Sequence, residues 1–286
     1  DGEWTMKKRA WYFLWISLAG ILIFYLWAFL ILFRKSFFSS ATGTWRGMKN
    51  YQDVLGNQAF WMAMKNTCFF LVVSILVLLL LSLFVARILL KNSIVNRIVK
   101  KGLLIPFAVP AGAVVFLWNL FFDVHGILNG ICSKIGGAPM HWMECKYAMY
   151  ILVLVYVWKN LGYYVILWTV ALNQISESAT EAAKVDGAGA VRLFFSIQLP
   201  QMKKPFLYIL LFAIMSGFKM FREAYVVTGE YPAQYIYMIQ NLLNNWYRQM
   251  EIGKLSAASG ILVLFLVMLT AALYLIFRER GEADKI

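Results

Sequence analysis

Six stretches of this 286-residue chain, 11–33, 67–90, 103–122, 148–172, 206–228 and 255–277, are almost entirely apolar and run for twenty or more residues each. A helix needs about 20 such residues to cross the hydrocarbon core of a bilayer. The expected fold class is therefore an all-α integral membrane protein with six transmembrane helices. Composition agrees: 62% of residues are apolar and the mean hydropathy is +0.67, values that a soluble globular chain rarely reaches because it must cover its surface with polar groups. Asp, Glu, Lys and Arg make up only 14% of the chain and fall mainly between the apolar stretches, as the cost of a charge in lipid demands.

The net charge of +13 does not point to nucleic acid, because the basic residues cluster at the ends of apolar segments instead of forming one continuous face. They orient the chain instead. Lys7, Lys8, Arg9, Arg87, Lys91, Arg97, Lys100, Lys101, Lys184, Arg192, Lys203, Lys204, Arg278, Arg280 and Lys285 fall on one side, against Arg34, Lys35, Arg46, Lys49, Lys65, Lys134, Lys146, Arg248 and Lys254 on the other. Fifteen against nine assigns the first set, and both termini, to the cytoplasm. The expected organisation is a cytoplasmic N-terminus, 1–10, one six-span domain over 11–277 with a cytoplasmic loop at 173–204, and a cytoplasmic tail, 278–286. Met6-Lys7-Lys8-Arg9 reads as a natural start after residues 1–5, and the run 11–33 is too long for a secretory signal and is expected to stay as an anchor.

Pro106 and Pro110, four residues apart at the start of the third span, each remove a backbone donor and predict irregular backbone there. Segments 128–147 and 229–253 read as external loops with short interfacial helices. Cys68, Cys132 and Cys145 lack metal-ligand spacing; Cys132 and Cys145 share one of these loops and could pair, though nothing in their spacing requires it. Asp123, His125, His141 and Glu144 occupy the same region without ligand or acid–base spacing, so neither a metal site nor catalysis is expected.

The loop between the fourth and fifth spans carries the functional signal. Ser178-Ala179-Thr180-Glu181 fits a capping box that would start a helix, Gly187 and Gly189 suit a chain reversal, and Phe194, Phe195, Ile197 and Leu199 can anchor the returning segment, with Pro200 expected to end it. The spacing is Glu181-Ala182-Ala183, three residues, Gly187, nine residues, Ile197, one residue, Leu199-Pro200. It resembles the signature loop of permease subunits in bacterial ATP-binding-cassette importers, and an ordinary interfacial hairpin would not match all four elements. Ile105-Pro106, Trp118-Asn119-Leu120-Phe121 and Gly126-Ile127-Leu128-Asn129 look like the third span and following loop of the maltose and glycerol-3-phosphate type of carbohydrate permease. Residues 218–229 resemble the fifth-span segment of that type's first, maltose-F-like, subunit, departing from it at Thr228-Gly229-Glu230-Tyr231-Pro232.

The resemblance implies a type I importer permease fold and a chain that forms half of a pore for a carbohydrate; two lysines in the fourth and fifth spans, Lys159 and Lys219, favour a substrate of acidic character, such as a uronic-acid oligosaccharide or a phosphorylated polyol. The implied partners are a second related permease, two ATPases and an extracellular solute-binding protein, within membrane lipid and without nucleic acid. By resemblance, Glu181, Ala182, Ala183, Asp186 and Gly187 form a coupling helix that docks on an ATPase. The chain contains no Gly-x-x-x-x-Gly-Lys-Ser/Thr, so ATP and Mg belong to the partner ATPases and no cofactor is expected here.

Ionisable residues at membrane depth are costly and mark functional sites. Lys159 and Lys219 qualify, and the resemblance implies that these regions of the fourth and fifth spans line the substrate path, which makes Lys159, Asn160, Gly162, Tyr163, Ser216 and Lys219 the candidates for it. A pairing of Lys219 with Glu223 one helical turn on is the plainer reading of those charges. The alternative function is an ion-coupled secondary transporter of a small polar solute, for which Glu223 is the one candidate coupling acid and no internal repeat is visible. A membrane enzyme would need a convergent set of catalytic groups that the sequence lacks.

Overall fold

Most of the apolar runs fold as continuous helix. The computed structural model describes residues 15, 17–91 and 93–277. The boundaries drawn at 1–10 and 278–286, and the basic residues Lys7, Lys8, Arg9, Arg278, Arg280 and Lys285 used for orientation, lie outside them. In chain order the helices are α1 (Ser17–Lys35), α2 (Lys49–Leu55), α3 (Gln58–Ile88), α4 (Ile94–Leu103), α5 (Ile105–Ala108), α6 (Ala111–Phe122), α7 (Ile127–Lys134), α8 (Ala148–Asn173), α9 (Glu177–Val185), α10 (190–201), α11 (Lys203–Lys219), α12 (Phe221–Thr228), α13 (Ile239–Arg248) and α14 (Ile252–Phe277). Among the described residues the only β structure is an isolated bridge between Phe38 and Trp45.

Among the described residues, five stretches are long and apolar enough to cross a membrane: Ser17–Lys35, Gln58–Ile88, Gly112–Lys134, Ala148–Asn173 and Ile252–Phe277. The fifth expected span, 206–228, is helical but breaks at Met220 into α11 and α12, so neither piece alone has the length of a span. The third span is divided as Pro106 and Pro110 predict. Val109 takes an extended conformation (φ −68°, ψ 126°) before Pro110, because the proline ring clashes with a helical residue preceding it. The two expected loop helices are α7 and α13.

The chain forms two compact units. The first comprises residues up to Trp61 together with Leu242–Val267. Buried Asn50 organises it: its Nδ2 donates to the carbonyls of Ser36 (2.8 Å) and Phe38 (2.9 Å), and Arg46 donates to its Oδ1 (3.2 Å). Gly253 N–H donates to Ser40 Oγ at 2.7 Å, fixing the start of α14 to the segment after α1.

The second unit comprises Met62–Asn241 and the residues from Met268 on. α8 lies at its centre, with Leu152, Tyr156, Tyr164, Val165 and Trp168 buried, and it packs against α4, α5 and α11, while α12 packs against α6. At the start of α3, Asn66 Nδ2 donates to the carbonyls of Gln234 (2.7 Å) and Tyr237 (3.0 Å), and Thr67 Oγ1 accepts from Ile239 N–H (2.9 Å). After α6 a single buried side chain, Asn129, bonds to the carbonyls of Asp123, Val124 and Met140 and accepts from Met140 N–H and Trp142 Nε1. Cys132 and Cys145 in this region are free thiols, so the conceivable pairing does not form.

Candidate functional site

Steps of three and four residues along a helix put side chains on one face. On α8 those steps bring Tyr156, Lys159, Asn160, Tyr163 and Tyr164 to a single cavity of about 860 Å³, and on α11 they bring Phe212, Met215, Ser216 and Lys219 to the same cavity. Phe107 of α5 forms a third side, its ring stacked on Tyr163 with centroids 4.8 Å apart and planes 7° from parallel. The volume falls within the range of about 300–1,000 Å³ typical of small-molecule sites. The lining carries two lysines and, among the described side chains, no carboxylate.

The wall between α8 and α11 is tied by hydroxyls. Ser216 Oγ donates to the Ala213 carbonyl (3.0 Å) and lies 2.7 Å from Tyr156 OH and 2.9 Å from Tyr164 OH. Tyr156 OH also reaches the Ala213 carbonyl at 3.1 Å and so has two acceptors; with the serine proton on that carbonyl, the Tyr164 phenol donates to Ser216 Oγ, and one serine bridges two turns of α8. Buried Asn160 donates to the Tyr156 carbonyl at 2.8 Å. Ser216→Ala leaves the enclosed Tyr164 phenol without its acceptor, while Tyr156 keeps the Ala213 carbonyl, and is expected to cost about 1–3 kcal/mol. A drop in the thermal midpoint of the purified protein, absent for Ser133→Ala on exposed α7, checks this.

Of the residues expected on the substrate path, Lys159, Asn160, Tyr163, Ser216 and Lys219 meet at this cavity. Gly162 lies elsewhere on α8, against the joint between α4 and α5. A Cβ there would overlap the Leu103 carbonyl and crowd the Leu104 amide. Tyr156, Tyr164 and Phe107 were not singled out from the sequence. The first two were within reach of it, since stepping one turn either way from Lys159 and Asn160 leads to them. The Lys219–Glu223 pairing involves a side chain outside the described structure. Asp123 Oδ1 caps the His125 N–H at 2.9 Å, and among the described residues no three potential metal ligands gather.

The loop that joins α8 to α11 is a helical hairpin. Its first helix starts two residues earlier than the capping-box reading: Ser176, not Ser178, is the N-cap, and its Oγ accepts from Ala179 N–H at 3.3 Å. The residue three beyond that cap is Ala179, so no glutamate reaches back and the box is half-formed. α9 ends in a Schellman motif, with Gly187 N–H on the Lys184 carbonyl (3.0 Å) and Ala188 N–H on the Ala183 carbonyl (2.9 Å). Gly187 sits at φ +78°, the left-handed conformation that this motif needs and glycine adopts freely.

The returning segment does not end at Pro200. α10 runs from Ala190 through a π-type turn at Phe194–Gln198 into Leu199–Gln201, with Leu199 N–H reaching back five residues to the Phe194 carbonyl. The widened turn re-sorts the carbonyls next to a residue that has no N–H to offer them, so the helix passes through the proline. Gln201 Oε1 accepts from Ser176 N–H at 3.3 Å and closes the base of the hairpin. Ala183 is buried in the hairpin, whereas Glu181, Ala182, Asp186 and Gly187 are exposed. Val185 stands 87% exposed between them, an apolar group displayed on an otherwise polar knuckle.

Comparison with known proteins bears on both regions. Residues 78–280 match the family described as binding-protein-dependent transport system inner membrane component. The chain is 30% identical over 231 residues to the trehalose/maltose transport system permease protein MalF of Thermococcus litoralis, covering 80% of this chain and 78% of that protein. It is 30% identical over 273 residues to the arabinooligosaccharides transport system permease protein AraP of Bacillus subtilis, covering 90% and 84%. A chain of a bacterial alginate ABC transporter, crystallised with alginate pentasaccharide-bound periplasmic protein, superposes with a TM-score of 0.75 over 97% of this chain and 96% of its own, at 19% identity, which speaks for the fold alone. The family match takes in the cavity and the whole hairpin and sets aside an ion-coupled carrier: the chain belongs to the inner-membrane permease subunits of binding-protein-dependent ABC importers and is not itself an enzyme.

Proposed function

We propose that this chain, as the first of two related permease subunits, forms half of the translocation pore of an importer for a carbohydrate. Two ATPase subunits drive it, holding ATP and Mg, and an extracellular solute-binding protein delivers the substrate. Both termini and the 173–204 loop are cytoplasmic in this reading, and Glu181, Ala182, Ala183, Asp186 and Gly187, joined by exposed Val185, form the knuckle that meets an ATPase. One observation carries it: the hairpin connects the two helices, α8 and α11, whose facing sides line the cavity. A displacement of the hairpin therefore acts on both walls of the cavity at once. Two relatives are named for the transport of trehalose and maltose and of arabinooligosaccharides, which supports a carbohydrate substrate.

The lining suggests its character. Lys159 and Lys219 bring two ammonium groups to the cavity, and a positive lining attracts negative groups on a solute. An anionic solute complements that charge, so an oligosaccharide bearing uronic acids fits better than a neutral one, with Asn160, Tyr163 and Ser216 beside it. In vesicles carrying the complete transporter, Lys159→Ala and Lys219→Ala are expected to lower import of a labelled oligouronate about tenfold each while sparing a neutral maltooligosaccharide. Unchanged oligouronate import in both variants would overturn the acidic-substrate reading.

A further inference from the structure

We propose that Arg87 is a positioning residue for coupling, and that its contact with Phe194 makes α3 a third member of the moving assembly alongside α8 and α11. This rests on the reading of the hairpin as the ATPase-docking element. Arg87 lies in the last turn of α3, where a cation is favoured by the exposed carbonyls. Its guanidinium sits over the Phe194 ring, 4.4 Å from the centroid, well inside the range of about 6 Å for a cation–π contact. Phe194 opens the π-type turn of α10 and is braced edge-on by Phe195 at 5.1 Å. The hairpin thus grips a helix to which it is not connected in sequence.

A second contact of α3 lies about 25 Å up the same unbroken helix. Buried Phe70 of α3 meets Tyr156 edge-on at 5.6 Å, and Tyr156 OH is 2.7 Å from Ser216 Oγ in the cavity wall. Leu71, the next residue, fills the space over Gly217 of α11 so closely that a Cβ there would come within 2.5 Å of its Cδ2. α3 therefore touches the hairpin at one end and both cavity walls near the other. A helix of 31 residues without proline or glycine transmits a displacement between those points with little loss, whereas the covalent paths through Gln174 and Met202 run through non-helical joints.

The test reads cavity exposure directly. In the complete transporter, with Cys68, Cys132 and Cys145 replaced by serine, a Met215→Cys reporter in the cavity is labelled by a membrane-impermeant thiol reagent with and without ATP, Mg and vanadate. With Arg87 in place the labelling rate is expected to change several-fold. In Arg87→Gln and in Phe194→Leu the change is expected to shrink by about fivefold, with ATPase subunits still co-purifying. The double variant is expected to lose no more than either single one, and Arg87→Lys is expected to keep most of the response. A full response in both single variants, or losses that multiply in the double variant, would overturn the proposal. A reporter that ignores nucleotide even with Arg87 and Phe194 intact would instead sink the hairpin reading, and this link with it.

Discussion

Replacing Gly162 by alanine is expected to unfold the second unit or prevent its accumulation, at a cost of roughly 3 kcal/mol or more. The added methyl would occupy the position of the Leu103 carbonyl and press on the Leu104 amide. Those are backbone atoms at the joint of α4 and α5, so no side chain can swing aside, and relief requires α8 to back away from both helices. That movement would also part the stacked rings of Phe107 and Tyr163 and open one side of the cavity. Gly130→Ala is the matched control, because its Cβ would meet nothing within 4 Å and alanine favours helix by roughly 0.5–1 kcal/mol. Thermal unfolding and size-exclusion profiles of the two purified variants check the prediction. A Gly162→Ala protein as stable as the parent would show that α8 does not lie against that joint.

The second large effect is expected at the knuckle. Glu181→Arg combined with Val185→Asp reverses one exposed charge and places another where an apolar group projects, without touching the N-cap at Ser176 or the Schellman turn at Gly187. The hairpin should fold unchanged, because both side chains point to solvent. Docking should not survive, since a charge forced into an apolar contact without a partner costs several kcal/mol. Co-purified ATPase is expected to fall at least about tenfold while the second permease subunit stays bound. Retention of ATPase at the parental level would move the docking surface off this knuckle.

How much of this was legible beforehand differs by element. The apolar runs place the C-terminal ends of α3 and α8 and the N-terminal end of α14 to within a few residues, because burial in lipid leaves one dominant constraint, hydrophobic length. Pro106 and Pro110 announce the broken third span, since a missing donor is a local property. The break at Met220 carries no such marker: no proline lies there, and the nearest glycine, Gly217, sits inside α11, its carbonyl taking Met220 N–H three residues on. The helix start at Ser176 was misplaced because Ser176 and Ser178 both satisfy a cap by composition, and the choice between them is made by Gln201, 25 residues away. Pro200 fails as a stop for a related reason, the π-type turn that precedes it.

At the cavity, helical stepping brings Lys159, Asn160 and Tyr163 together on one face and Ser216 and Lys219 on another, so five of the candidates share a site. The network through Tyr156 and Tyr164 depends on how α8 and α11 pair, which periodicity within either helix does not encode. Gly162 illustrates the same limit, because a glycine among polar residues in a span reads equally as a lining position or as a place where two backbones meet.

The central claim is that the hairpin between α8 and α11 is the element that an ATPase moves. Its most direct test is a Val185→Cys variant of the complete transporter in which the three native cysteines are replaced by serine, treated with a short thiol-to-amine cross-linker. The expected result is a covalent adduct between this chain and an ATPase subunit, formed in vesicles with ATPases on the outer face and lost on adding the Glu181→Arg change. A transporter that hydrolyses ATP normally yet gives no adduct, or whose introduced thiol is labelled by impermeant reagents only from the extracellular side, would contradict the account.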